Sequence, residues 1–307
     1  MLSEITRTYR LMASEIARRE RLLVVAPQPV AAELASLPAR LALMDTDDTW
    51  ARDHGFITLT DDEGHCRLLD FRFNGWGEKF AAERDNAINR QLYDRGYVTG
   101  EYVSQLDFVL EGGSIESDGR GTLFTTTGCL TAPHRNQPLT QQQLEDRLKQ
   151  SLGAERVVWI DHGALTGDDT DGHIDTLVRI CPDDTLLYMG CDDPADEQYE
   201  ELQLMEQQLA ALRTLDSRPY RLVKLPMPRA LYDDDGQRLP ATYANFLILN
   251  GAVLCPTYGQ PDHDAEALRL VGEAFPDREV VGIDSTDIIW GLGSFHCLSQ
   301  QQPALQQ

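Results

Sequence analysis

The chain has 307 residues, with 27 Lys+Arg against 50 Asp+Glu and a formal net charge of −23. Its 42% hydrophobic and 25% charged residues are a globular balance, and the length can bury a sizeable core in one or two domains. So acidic a chain disfavours nucleic acid and anionic lipid as partners, and is compatible with a cationic small molecule, although solubility is the simpler explanation of the charge.

At the N-terminus, Leu2, Ile5, Tyr9, Met12 and Ile16 step by three and four, the period of an amphipathic helix. Glu4, Arg7, Arg10 and Glu15 interrupt any signal-peptide core, and no run approaches the roughly 20 apolar residues that cross a bilayer. The expectation is a cytoplasmic protein without membrane contact. The six cysteines (Cys66, Cys129, Cys181, Cys191, Cys255, Cys297) lack C-x-x-C spacing and read as reduced thiols, not as a zinc site or disulfide frame.

Short runs rich in Val, Ile, Leu, Phe and Thr then predict strands. They are Arg21–Ala26, Gly55–Thr60, Arg67–Phe73, Phe108–Leu110, Thr122–Thr127 and Arg156–Ile160, then Ile174–Ile180, Thr185–Met189, Arg221–Leu225, Asn245–Asn250 and Glu279–Asp284. Between them, Thr140 and Gln143 form a capping box ahead of Leu144, Leu148 and Leu152. Leu202, Met205, Leu209 and Leu212 stripe a second helix, and Leu268, Val271 and Phe275 a third. Asp233–Gly236 lacks the closing Glu of a calcium loop and predicts a hairpin turn. No linker or composition break divides the chain, so one α/β domain over residues 1–307 is expected.

Four segments set reactive side chains beside glycines: Trp50–Gly55, Leu110–Ser114, Asp171–Asp175 and Gly291–Cys297. If residues 173–175 are extended, His173 and Asp175 share a face, as a general acid/base and an anionic anchor would. H-x-D is also a metal pattern, but no second histidine motif completes it. Trp50 with Asp53 suits a planar cation. Glu111 precedes a Gly-Gly, and Cys297 follows a glycine-rich loop that could present it to a cleft. His296 is a rival base that extended geometry would turn away from Cys297, and Arg52, beside Asp53, reads as a structural ion pair. One Cys, one His and several acids fit one chemistry without a metal. Carboxylates hold a guanidinium, a thiolate attacks its carbon and a histidine protonates the departing ammonia.

In order along the chain come W-x-R-D (50–53), F-N-x-W-G (73–77), L-E-G-G-S (110–114), D-G-H-x-D (171–175), Y-x-N-F (243–246), F-P-D-R-E-V-V-G-I (275–283) and H-C-x-x-Q-Q-Q-P (296–303). With these motifs the chain resembles the agmatine deiminase and bacterial (Porphyromonas-type) peptidylarginine deiminase family, in the guanidine-modifying pentein superfamily. The resemblance implies a five-fold pseudosymmetric α/β propeller of ββαβ-type units around a central funnel. It implies Cys297 as nucleophile, His173 as acid/base, Asp53 and Asp175 as guanidinium-binding acids, and Glu111 as either the group that orients the histidine or a further acidic contact to the substrate. Trp50 matches the family's wall aromatic, and Trp76 is a further candidate for the wall.

Several positions depart from the family pattern. Leu292 and Ser294 replace a glycine and an asparagine, His54-Gly55-Phe56 stands for T-G-P, and Thr176 stands for an asparagine. The implied activity is a cofactor-independent hydrolase of linear amidines that converts agmatine to N-carbamoylputrescine through an S-alkylthiouronium, a step of putrescine and polyamine biosynthesis. Peptidyl-arginine is the alternative substrate, and an amidinotransferase or a non-catalytic binder of cationic metabolites are readings from other classes. The acidic run Asp168–Asp171 would draw a dication, while no Arg is placed to hold the α-carboxylate of free arginine. Self-association into a homo-oligomer is left open.

Overall fold

The computed structural model describes residues 2–303. The N-terminal helix, Leu2–Ala17, buries Met12 and Ile16 against Leu247, Leu249, Leu254 and Ile283, as its spacing predicts. No helix among the described residues is long and apolar enough to cross a membrane.

The strands are, in chain order, β1 (Leu23–Ala26), β2 (Arg40–Leu43), β3 (Ile57–Thr60), β4 (Cys66–Arg72), β5 (Glu101–Val109), β6 (Ile115–Ser117), β7 (Thr122–Thr126) and β8 (Arg156–Ile160). They continue with β9 (Val178–Cys181), β10 (Thr185–Met189), β11 (Arg221–Leu225), β12 (Leu247–Leu249), β13 (Ala252–Thr257) and β14 (Glu279–Asp284). They form small sheets of one recurring pattern, an α/β fold. In β3-β4-β5, β6-β7-β8, β9-β10-β11 and β12-β13-β14 the first pair is antiparallel and the second parallel. A helical crossover precedes each third strand, as parallel pairing demands. A fifth sheet pairs β1 and β2 in parallel around a single helical turn, Ala31–Leu34.

The central strands have material on both faces. β7 and β10 are buried at every position, and β13 nearly so, which explains why they carry no charged residue. The helix Gln141–Leu152 has the expected capping box, ends at Gly153 in the left-handed region, and buries Leu144 and Leu148 against Leu69, Phe71 and Leu130. The largest apolar cluster joins the β9–β11 sheet and its helix to the underside of β13 and the helix Pro261–Ala274. Residues 232–238 turn as a hairpin, with Gly236 at φ 76° and the Asp233 carboxylate accepting from the Asp235 and Gln237 amides.

Each three-stranded sheet is entered through a tight turn. Ala51–His54 leads into β3, Gly112–Ser114 into β6, Ile174–Thr176 into β9 and residues 243–246 into β12. The predicted strand Ile174–Ile180 is therefore a 3-10 turn up to Thr176, with β9 starting at Val178. Gly172 at φ 88° starts the turn, and the amide and hydroxyl of Thr176 both donate to the His173 carbonyl. The predicted strand Phe108–Leu110 is the end of β5, whose outer part reads as a polar loop because Glu101, Ser104, Gln105 and Asp107 interrupt it. β2, β6 and β13 were not predicted.

One buried cation ties three of these units together. Arg179 on β9 donates to Glu116 on β6 at 2.5 Å and to the carbonyls of Ala244 and Phe246 at 2.8 and 2.6 Å, and it stacks on the Phe246 ring at 4.4 Å. Replacing it by methionine leaves a nearly buried carboxylate and two carbonyls unpaired, so Arg179→Met should lower unfolding free energy by about 3–5 kcal/mol in urea titration. A loss under about 1 kcal/mol would show that the ion pair does not join the units.

Candidate active site

The entry turns bring their polar side chains to one point. Gly113 marks it: a Cβ there would lie 2.6 Å from His173 Nδ1, 2.8 Å from Asp53 Oδ1 and 3.1 Å from Asp175 Oδ2. Only hydrogen fits where the three groups approach one another. Asp53, Glu111, His173, Asp175, His296 and Cys297 are all buried.

Asp53 is fixed from two sides. Its Oδ2 accepts from Trp76 Nε1 at 2.9 Å and its Oδ1 from the Gly113 amide at 2.9 Å. Trp76 reaches it from a turn in which Gly75, Trp76, Gly77 and Glu78 all have positive φ, costly backbone for Trp and Glu. Burial raises the Asp53 carboxyl above its ordinary range, opposed by His173.

His173 lies between two acids, its Nδ1 3.6 Å from Asp53 Oδ1 and its Nε2 3.6 Å from Glu111 Oε2. Those separations are ion-pair contacts longer than hydrogen bonds, and neither ring nitrogen has a hydrogen-bond partner among the described residues. Burial would lower the imidazole pKa, but Asp53, then the Cys129 sulfur and Glu111, raise it well above the ordinary value. The two flanking carboxylates thus favour the protonated form of His173. Glu111 in turn is held by Arg135, whose side chain is fully buried and whose Nε donates to both carboxylate oxygens at 3.1 Å. Burial pushes the Glu111 carboxyl up, yet Arg135 and His173 outweigh it and keep the group below its usual range.

Asp175 and Cys297 form the opposite wall. Burial lifts the Asp175 carboxyl to about 7, with Asp53 adding to the rise and His173 opposing it. Its Oδ2 contacts His296 Nδ1 at 2.6 Å and Cys297 Sγ at 3.6 Å, while Oδ1 is buried without a partner. Asn245 Nδ2 donates to Cys297 Sγ at 3.0 Å, and Asn245 Oδ1 accepts from the His296 and Cys297 amides. Burial, then Asp175 and Asp53, push the thiol well above its ordinary pKa. The free site thus holds a thiol beside an imidazolium, and the carboxylates win over the imidazolium at the sulfur.

Trp50 packs with Phe73, Trp76, Ala82 and Cys297. The glycines before Cys297 exist for its indole: a Cβ on Gly293 would meet Trp50 Cζ3 at 2.4 Å, and one on Gly291 would meet Cζ2 at 3.0 Å. Leu292 stands at φ 68°, so the replacement of the family's usual glycine keeps glycine's backbone conformation. Its side chain packs on the main core, and the Ser294 hydroxyl faces Ser285.

The structure brings together every site residue expected from the sequence: Trp50, Asp53, Trp76, Glu111, His173, Asp175 and Cys297. Three local readings change. His173 and Asp175 meet through a 3-10 turn and not along a strand. Residues 295–298 form a turn, so His296 and Cys297 both face Asp175 and the alternation argument against His296 lapses. Arg52 sits in a helical turn and clamps the cysteine loop without a carboxylate in hydrogen-bond contact. Its amide donates to the Cys297 carbonyl, its Nε to the His296 carbonyl and its Nη1 to Gln300 Oε1.

The acidic run is mostly structural. Asp171 pairs with Arg135 at 2.6 Å and Lys79 at 2.8 Å, and Asp168 accepts from Thr170 and the Gly172 amide. Arg135 carried no motif and was missed. Asn245 lay inside Y-x-N-F but was given no role.

Among the described residues, Glu111, Cys129 and His173 could offer ligand atoms to a metal, all within 4.8 Å of one another. Arg135 already occupies both oxygens of Glu111, which suits that set to a proton better than to a second cation.

Fold and site together define an α/β protein with a buried cysteine–histidine–carboxylate centre. The chain belongs to the Porphyromonas-type peptidyl-arginine deiminase family, whose model matches residues 1–303. The agmatine deiminase of Stutzerimonas stutzeri is 35% identical over 322 residues, covering 96% of this chain and 86% of that protein. A solved Porphyromonas gingivalis structure, provisionally described as an arginine deiminase, superposes with TM-score 0.94 at 49% identity, covering 99% of this chain and 91% of that one. A cysteine-to-serine variant of C. jejuni agmatine deiminase with substrate bound superposes with TM-score 0.89 at 34% identity, covering 97% and 87%.

The resting thiol has a measurable consequence. Iodoacetamide alkylation of Cys297 should be slow at pH 7 and rise about tenfold per pH unit above it, since only the thiolate reacts. A rate that is already maximal at pH 7 would show a resting thiolate and contradict the arrangement.

Proposed function

We propose that the chain is a cysteine-dependent guanidine deiminase that hydrolyses agmatine to N-carbamoylputrescine and ammonia, a single catalytic domain over residues 1–307. The observation that carries this reading is the pair of buried carboxylates, Asp53 and Asp175, set beside a cysteine and a protonated histidine. Two carboxylates match a planar cation that offers N–H groups on several sides. The agmatine deiminases among its relatives support the substrate class. The four alike sheets and the β1–β2 pair are read as five blades of a propeller, with the entry turns lining its funnel.

Docking of the cation offsets the negative charge that holds Cys297 as a thiol, so its proton passes to water as the substrate arrives, and the ammonia later released takes up one proton from water to become ammonium. The thiolate adds to the guanidinium carbon, and a C–N π pair moves onto nitrogen. His173 gives its proton to the terminal NH₂, the C–N bond breaks and ammonia departs, leaving a cationic S-alkylthiouronium. Neutral His173 then takes a proton from water as its oxygen attacks the same carbon. Collapse expels the thiolate and leaves the urea, and the hydroxyl proton returns to the sulfur to restore the thiol. Overall, guanidinium plus water gives urea plus ammonium.

Agmatine is preferred over free arginine in this reading because the site is acidic and its two arginines are built into the protein, Arg52 keeping only a buried Nη2 without a partner. Arg52 and Arg135 are both committed, to the cysteine loop and to Glu111 and Asp171. In the loop before His173, Asp169, with its carboxyl lifted to about 6 by burial and Asp168, is the acid left for a second positive charge.

The test is ammonia release from agmatine, arginine and a blocked arginine amide. Agmatine should lead in kcat/KM by at least about tenfold, about 1.4 kcal/mol. Cys297→Ala should abolish turnover and keep binding, and Asp53→Asn should weaken binding by about 1.5–3 kcal/mol. KM should rise below about pH 7 as Asp175 takes up a proton. A lead for the blocked arginine would move the protein to peptidyl substrates, and a lead for free arginine would overturn the charge argument.

A further inference from the structure

His296 is a buried side chain of the centre to which the proposed reaction gives no task. Its Nδ1 lies 2.6 Å from Asp175 Oδ2, a charge-assisted hydrogen bond. Its amide is held by the Asn245 carbonyl and Oδ1, and its carbonyl by Arg52 Nε, so the ring has a fixed base from which to reach Asp175. Asp175 Oδ1, by contrast, is buried with nothing to accept from. A buried carboxylate oxygen with no donor is costly unless a ligand supplies one.

The charged groups around His296 are Asp175 in contact, and Arg52, Arg179 and protonated His173 nearby. Burial first, and then these three cations, hold its pKa well below the ordinary value. A neutral imidazole has one N–H, and the short contact to a carboxylate places it on Nδ1. A base taking the thiol proton would have to become a second imidazolium among those cations, which disfavours the role for His296.

We propose that His296 is a positioning residue for the guanidinium: its neutral ring donates Nδ1–H to Asp175 Oδ2 and so aims Asp175 Oδ1 at the substrate. Cys297 Sγ lies 3.6 Å from that same oxygen, so without the His296 donor only the weak thiol contact holds the carboxylate and it is free to turn. His296 thereby sets substrate binding through Asp175, while His173 handles protons. The inference rests on the guanidine reading above.

The experiment compares wild type, His296→Asn and His296→Leu. The asparagine amide can replace the Nδ1–H donor, and leucine cannot. Steady-state kinetics on agmatine from pH 6 to 9 are read beside the rate of Cys297 alkylation by iodoacetamide, which reports an intact cysteine loop. The expected result is a KM raised at least about tenfold in the leucine variant with a smaller change in kcat, and a KM restored to within about threefold by asparagine. Equal KM in all three, or a loss of about a hundredfold in kcat at unchanged KM in both variants, would overturn the proposal. If the leucine variant does not fold, His296→Ala takes its place with the same criteria. Wild type inactive on agmatine, arginine and blocked arginine alike would instead remove the guanidine reading itself.

Discussion

Burying three carboxylates within reach of one imidazole is the constraint on which this site depends. Asp53, Glu111 and Asp175 are each nearly or fully excluded from water, and a bare buried carboxylate is expensive. The protein offsets each differently. Glu111 has a buried guanidinium, Asp53 has an indole N–H and a backbone amide, and Asp175 has an imidazole on one oxygen only. The unmet demand at Asp175 Oδ1 and the carboxylates' mutual repulsion are what a guanidinium relieves. The same negative field favours the thiol form of Cys297, so in the proposed reaction binding the cation and forming the nucleophile become one event.

The recurring sheet pattern is what makes this arrangement constructible. A turn ahead of a sheet's first strand is short, tightly hydrogen-bonded and anchored by a buried strand behind it. Rigid elements of that kind hold first-contact residues more precisely placed than loops do. Separate turns supply Asp53, Glu111, the His173–Asp175 pair and Asn245, and the last turn supplies His296 and Cys297. Arg179 and Arg52 lock these turns to one another from behind. The three consecutive glutamines at 300–302 anchor the end of the described chain on Arg52, Ile248 and Thr99.

Much of the site was legible in the sequence because reactive side chains beside glycines mark tight turns, and ordered motifs along the chain narrowed the chemistry. Strands β7, β8, β10 and β11 were readable because they concentrate β-branched, aromatic and aliphatic residues in short runs, with β7 and β10 buried at every position. β5 was mostly hidden by its polar outer half, and β6 by its three-residue length. The alternation rule failed at 173–175 and 295–297 for one reason: both are turns, where neighbouring side chains can face the same way. Arg135 was illegible because a lone arginine in an ordinary loop has no local pattern; its importance lies in partners 24 and 36 residues away.

The central claim is that the buried thiol of Cys297 bonds to the guanidine carbon while the neighbouring acids hold the cation. Rapid acid quench during turnover of agmatine, followed by peptide mass spectrometry, tests it most directly. The account predicts a fraction of enzyme heavier by agmatine less one ammonia, with the added mass on the peptide carrying Cys297. Full turnover with no adduct at any quench time, or an adduct on Cys129 beside His173, would contradict it.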